Sequence, residues 1–185
     1  MGRFGNKKYV TKDGIKVIIR DAEPKDAKSL IDVNMNVVNE KIYMMREPDE
    51  AVYTVEGEQN KIERYISSEG SLYLAAEVNN KVIGYIDFQN GGLKRTKHAG
   101  SFSIYIIKEW RASGIGSMLL ESLIDWAEKN SLIEKLTLAV FSTNENAQIL
   151  YRKFGFTEEG RCPKDMKLSD GTYMDSVLMY KFVKT

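Results

Sequence analysis

The chain has 185 residues, 43% of them apolar and 29% charged, with a formal net charge of +1. Such a length suits one domain that buries roughly 70% of its unfolded surface, and residues 1–185 are read as a single domain with its core over 15–182. The near-neutral charge argues against nucleic acid as an electrostatic partner. One cysteine (Cys162) and one histidine (His98) exclude a disulfide framework and leave no Cys/His set for zinc, so no metal is expected. With neither a long apolar run nor a signal-peptide core, the expectation is a cytoplasmic chain with no membrane partner.

Ile15 to Arg20, rich in β-branched residues, predicts a first strand. Pro24 suits the first turn of a helix, and Ala27, Leu30, Ile31, Asn34, Val37 and Val38 follow at helical spacing. The segment Met45 to Glu50 interrupts that pattern around Pro48, and a short helix is predicted over Glu58 to Ser67. Two strands, Ser71 to Val78 and Lys81 to Phe88, flank Asn79-Asn80, a favourable two-residue hairpin turn.

Past Gly91-Gly92 a strand is predicted from His98 to Ile107. Beyond the turn WRASGIG, Ile115, Met118, Leu119, Leu123 and Trp126 mark the apolar face of a helix over Gly114 to Lys129, interrupted by Ser122. Its opposite, wet face carries Glu121, Asp125 and Glu128. Lys135 to Phe141 reads as a buried strand, and Ala147, Leu150, Tyr151 and Phe154 as an amphipathic helix stopped at Gly155. Two closing strands fall near Phe156 to Arg161 and Thr172 to Phe182. The order predicts an α/β (α+β) domain with a mostly antiparallel mixed sheet and a parallel portion around Ile104 and Leu138.

The turn WRASGIG between strand and helix is the most informative stretch. The first amides of a helix lack internal partners and carry partial positive charge, and glycines let a bulky anion approach them. Arg111 adds a full charge. From these residues alone, a phosphate cradle and an ordinary helix start capped by Ser113 are equally good readings. A dinucleotide fingerprint fails because Leu119 stands where its third glycine belongs, and no P-loop, kinase or nucleophile-elbow pattern is present.

The Arg-x-x-Gly-x-Gly turn resembles the acetyl-CoA pyrophosphate loop of the GCN5-related N-acetyltransferases (GNAT). Downstream, LAVFSTNENAQILYRKFGF (Leu138 to Phe156) is similar to that family's succession of strand, Asn-x-x-Ala, Leu-Tyr and Gly-Phe. The resemblance runs from Ile15 to Phe182 and implies the GNAT fold, with a central, splayed parallel strand pair flanked by helices. It further implies an acetyl-CoA-dependent N-acetyltransferase moving the acetyl group directly to a primary amine of a small molecule or peptide.

By the same resemblance, acetyl-CoA is the co-substrate. Backbone groups of Ile104, Tyr105 and Ile106 would pair with its pantetheine arm, and amides of Ala112, Ser113, Gly114, Ile115, Gly116 and Ser117, beside Arg111, would seat its diphosphate. Asn144 and Tyr151, seven residues apart, project from one helix face. Asn144 would hold the pantetheine, and Tyr151 would act as general acid toward the departing thiolate. A helix cap and a core aromatic are the plain structural readings of that pair.

The base is not evident. Peptide-directed members often carry a Glu where Ala139 stands, and histone-directed members one where Gly100 stands. His98, Glu47 and Glu40 remain as candidate bases. Without a recognised carboxylate, an α-amine with pKa near 8 is favoured over a lysine-like amine near 10.4, whose deprotonation at neutral pH requires roughly 4 kcal/mol. Two other readings stay open: a non-catalytic acyl-CoA-binding sensor, and an O-acetyltransferase. The alternating run TYMDSVLMYKF also allows a homodimer built on the last strands.

Overall fold

A computed structural model describes residues 3–184. The strands β1 (Asn6–Val10), β2 (Lys16–Asp21), β3 (Ser71–Val78), β4 (Lys81–Asn90), β5 (Ala99–Ile106), β6 (Lys135–Phe141), β7 (Thr157–Lys167) and β8 (Tyr173–Phe182) form one sheet. Their order is β1-β2-β3-β4-β5-β6-β8-β7. Alternation along β3 sends Leu72, Leu74 and Ala76 to one face and Tyr73 to the other, so the sheet has two cores. Helices α3 (Ile115–Lys129) and α4 (Glu145–Lys153) cover the larger core, and α1 (Ala27–Val38) and α2 (Val55–Ser67) the smaller. The mixed sheet, mostly antiparallel with one parallel pair, matches the fold class expected from the sequence. Among the described residues no helix is long and apolar enough to cross a membrane.

Local chemistry accounts for most boundaries. Asn79 and Asn80 take φ of 48° and 61°, the left-handed pair that a tight primed turn requires. Helix α2 starts three residues before the expected Glu58, because Thr54 accepts from the Gly57 amide at 3.0 Å as its N-cap. Glu58 then lies buried, accepting from the Tyr73 hydroxyl at 2.6 Å.

Strand β1 was not expected from NKKYV. Its alternate residues bind α3: Lys7 donates to Glu121 and Asp125, each at 2.8 Å, and the Tyr9 and Ser122 hydroxyls bond at 3.1 Å. Two carboxylates of the supposed wet face are therefore ion-paired. The polar exception on the apolar face, Ser122, is fully buried and satisfied, donating also to the Met118 carbonyl at 2.8 Å.

The parallel contact between β5 and β6 is short and lies earlier than expected. It comprises Ala99↔Lys135, Gly100↔Leu136 and Ser101↔Thr137 only. Ile104 and Leu138 lie beyond it, where the strands have separated. β5 continues on β4 to Gly84↔Ile106, while β6 stays on β8 along its whole length. Each strand keeps its antiparallel partner and loses its parallel one, so the sheet opens as a wedge. Phe102 heads the wedge, with its ring 5.8 Å from Tyr151 and 5.5 Å from Phe156.

Gly100 sits in the last closed rungs and has no room for a side chain. A Cβ there would lie 2.4 Å from the Gln89 carbonyl oxygen and 2.6 Å from Phe88 Cζ. We expect Gly100→Ala to destabilise the chain by about 1–3 kcal/mol in urea titrations. Gly92→Ala, where a Cβ meets nothing within 4 Å, should stay within about 0.5 kcal/mol of the parent.

Candidate active site

From Phe102 onward, β5 has one edge bonded to β4 and the other turned to the wedge. Ile104 and Ile106 pack their side chains against the core beneath α3 and α4. Tyr105 faces the opposite side, its ring 5.0 Å from that of Tyr85. The main chain of this stretch is thus available to an extended ligand while its side chains hold the strand in place.

At the open end of β5 a 3-10 turn (Lys108–Trp110) leads into the glycine loop. Ala112 and Gly114 take positive φ, 58° and 91°. For alanine that conformation is strained, and left-handed residues of this kind turn successive amides toward one concavity. Gly114, not Ser113, is the N-cap of α3, and no side chain caps it. The Ser113 hydroxyl instead donates to the Trp110 carbonyl at 2.6 Å. The first helical bond runs from Met118 N–H to Gly114 O at 3.1 Å. The preceding amides are left to face the loop, as an anion cradle needs. Gly116 packs close to α4: a Cβ there would meet Leu150 Cδ2 at 3.2 Å. The guanidinium of Arg111 is held in two places. It donates twice to Glu40, at 2.6 and 2.5 Å, and through Nε to the Ile106 carbonyl at 2.9 Å.

Across the wedge, Asn144 is the N-cap of α4, its side chain accepting from the Ala147 amide at 3.2 Å. Tyr151 is 9% exposed, and its ring also meets Phe156 at 6.0 Å. Burial, reinforced by nearby Tyr105, pushes its phenol well above the ordinary value of 10. This hydroxyl keeps its proton at any physiological pH.

Of the candidate bases, His98 stands away from the opening and Glu40 is already paired. His98 is exposed and precedes β5 at the closed end, where its carbonyl accepts from Glu134 and Lys135. It stands four residues before Phe102, roughly 13 Å along the strand, and away from the opening. Glu47 lies in the loop between α1 and α2, where its amide donates to the Glu50 carboxylate at 3.0 Å. Glu40 is committed to Arg111. Ala139 is exposed on β6, and Gly100 excludes any side chain.

Other charged groups near the site escaped the sequence reading. Asp87 on β4, opposite Ser103 of β5, pairs with Lys61 at 3.0 Å and accepts from the Tyr65 hydroxyl at 3.4 Å. Lys61 Nζ lies 4.6 Å from the Tyr73 ring centroid. The signal was present in KVIGYIDF, since alternation puts Asp87 on the same covered face as Tyr85.

A family model described as the acetyltransferase (GNAT) family matches residues 39–156, spanning the Glu40 loop, the glycine turn and α4. The chain belongs to the acetyltransferase (GNAT) family. It is an acyltransferase of that family. The acetyltransferase of GNAT family from Streptococcus pneumoniae superposes with a TM-score of 0.86 at 32% identity, over 90% of this chain and 99% of that one. Salmonella typhimurium yncA, solved with its cofactor acetyl-CoA, gives a TM-score of 0.82 at 21% identity, covering 91% of this chain and 95% of that one, a likeness of fold. Escherichia coli (strain K12) L-amino acid N-acetyltransferase AaaT is 28% identical over 117 residues, 63% of this GNAT chain and 72% of AaaT.

The cap at Asn144 gives a stability test independent of any ligand. Asn144→Ala should cost about 1 kcal/mol by denaturant titration, and Asn144→Ser should recover most of it.

Proposed function

We propose that the chain transfers the acetyl group of acetyl-CoA directly to a primary amine, most favourably the α-amine of an amino acid or peptide terminus. The observation that carries this reading is the three-rung contact of β5 with β6. It leaves a wedge with Tyr151 at its head and the uncapped start of α3 at its mouth.

In this assignment the amides of Ala112 to Ser117 seat the diphosphate, and the free edge of β5 at Ile104, Tyr105 and Ile106 aligns the pantetheine as an added strand. One of those strand amides also donates to the thioester oxygen as charge develops on it. Asn144 keeps its cap and offers the rest of its amide to the pantetheine. Acetyl-CoA supplies an activated acyl carbon. The amine nitrogen bonds to that carbon, the carbon–sulfur bond breaks, the sulfur leaves with the Tyr151 proton, and the surplus proton of the amine passes to water, from which Tyr151 regains its own.

With no carboxylate at Gly100 or Ala139, and with His98 at the closed end of β5, the acceptor has to arrive already neutral in useful amount. An amine of pKa near 8 does so at neutral pH, whereas one near 10.4 does so roughly a hundredfold less. The name of the Escherichia coli relative, an L-amino acid N-acetyltransferase, supports an acceptor of the first kind.

Tyr151→Phe should lower kcat by roughly 10²- to 10⁴-fold while leaving coenzyme A affinity unchanged. An unchanged kcat would remove the general-acid role. Because Tyr151 holds its proton above pH 10, kcat/KM for an amino acid should rise with pH, level off above the amine's own pKa, and show no decline below about pH 10. Faster turnover of diamines than of amino acids would overturn the acceptor assignment.

A further inference from the structure

Arg111 is the full positive charge beside the proposed diphosphate cradle, yet Glu40 already occupies it. Both Nη atoms donate to the Glu40 carboxylate, whose side chain is only 18% exposed. To a polyanion arriving at Ala112 to Ser117, the pair presents no net charge. Glu40 also begins the segment that runs to the Thr54 cap of α2. Three residues on, Tyr43 fixes that segment to the other side of the wedge. Its hydroxyl donates to the Thr143 carbonyl at 3.3 Å and its ring lies 5.9 Å from that of Phe141. Ile106, which shares Arg111 with Glu40, ends β5, and Phe141 ends β6. The segment from Glu40 to Tyr43 is therefore a strap joining the tips of the two parted strands.

We propose that Glu40 is a positioning residue that competes with the diphosphate of acetyl-CoA for Arg111, so that cofactor arrival frees the β5 end of the strap. This rests on the cradle assignment above. The guanidinium has one fork, and a diphosphate is as good a bidentate acceptor as a carboxylate. Once Arg111 turns to phosphate, Glu40 is unpaired beside a polyanion and is repelled. The cofactor half of the site thereby loosens the segment bordering the α1/α2 face. Glu40 touches neither substrate and acts only through Arg111 and the strap.

The test uses the full chain and coenzyme A itself, with calorimetry and hydrogen exchange on the parent, Glu40→Gln and Glu40→Asp. Removing the Glu40 charge should make Glu40→Gln bind coenzyme A roughly two- to fivefold more tightly, while Glu40→Asp stays nearer the parent. Coenzyme A should speed exchange of amides 41–53 in the parent. In Glu40→Gln exchange should be fast already and unaltered by ligand. Equal or weaker binding by Glu40→Gln, or a strap that coenzyme A slows in the parent, would overturn the competition while leaving the cradle intact. A chain that binds no coenzyme A in any of the three forms would overturn the cradle assignment and this inference together.

Discussion

The parting of β5 from β6 after three rungs is the constraint on which the site depends. A sheet interior does not ordinarily leave strand edges unpaired, because buried amides and carbonyls without partners are costly. Here the opening is held by what surrounds it. β4 and β8 retain their strands to the tips. Thr137 donates to the Gly100 carbonyl at 2.9 Å and fastens the last closed rungs. The rings of Phe102, Tyr151 and Phe156 fill the vertex. A side chain at Gly100 would disturb the fastening, which gives a physical reason why this chain lacks a carboxylate at that position. The same geometry that creates the wedge thus removes one way of building a base beside it.

The sequence showed its elements better than their consequences. Helical and strand periodicities placed α1, α3, α4, β3, β4 and β6 within a few residues, because each helix buries one apolar face and the strands are apolar runs, β3 and β4 buried on both faces. Strand β1 escaped because NKKYV has no apolar face of its own, and its partners, Glu121, Ser122 and Asp125, lie more than a hundred residues away. The start of α2 escaped because the capping role of Thr54 looked like part of a loop. The wedge was legible only through family resemblance, since nothing in the unbroken runs Phe102 to Ile107 and Lys135 to Phe141 says where pairing ends. Nor could spacing have joined Arg111 to Glu40, 71 positions apart. Asn144 and Tyr151 were legible as one face of one helix, though the cap at Asn144 and the ring packing at Tyr151 are structural uses that stand beside any role in binding.

On the α1/α2 face, a row of tyrosines crosses the sheet toward the wedge. The rings of Tyr65, Tyr73, Tyr85 and Tyr105 follow one another at 5.3, 5.3 and 5.0 Å. Their polar ends are satisfied within the core: Tyr73 donates to Glu58 and Tyr85 to Asn34, both at 2.6 Å. Lys61 lies over Tyr73 and is neutralised by Asp87. Buried polar groups with matched partners rigidify what they join, whereas a half-satisfied set would loosen it. The row therefore forms a stiff platform ending at Tyr105, beside the open edge of β5. The segment between α1 and α2 is held at the wedge by the half-buried Glu40–Arg111 pair and by Tyr43, with the Arg46 guanidinium 5.8 Å from the Tyr53 ring centroid. Rigidity is placed under the strand that would carry the ligand.

Burial of Tyr151 then decides how the chemistry divides. Removing the phenol from water disfavours its ionised form, and neighbouring Tyr105 adds to the effect. A group so adjusted cannot accept a proton from an amine at neutral pH, because the phenolate is essentially unpopulated. It can give one to a thiolate, whose conjugate acid has an ordinary pKa near 8.5, once the developing anion lies in the same water-poor vertex and needs the proton more than the phenol does. Under the proposed assignment Tyr151 serves the leaving group, while neither Gly100 nor Ala139 serves the nucleophile. An enzyme of the proposed design would take its selectivity from the basicity that an acceptor brings with it, and the lack of a carboxylate at Gly100 and Ala139 would then act as a filter favouring weakly basic amines.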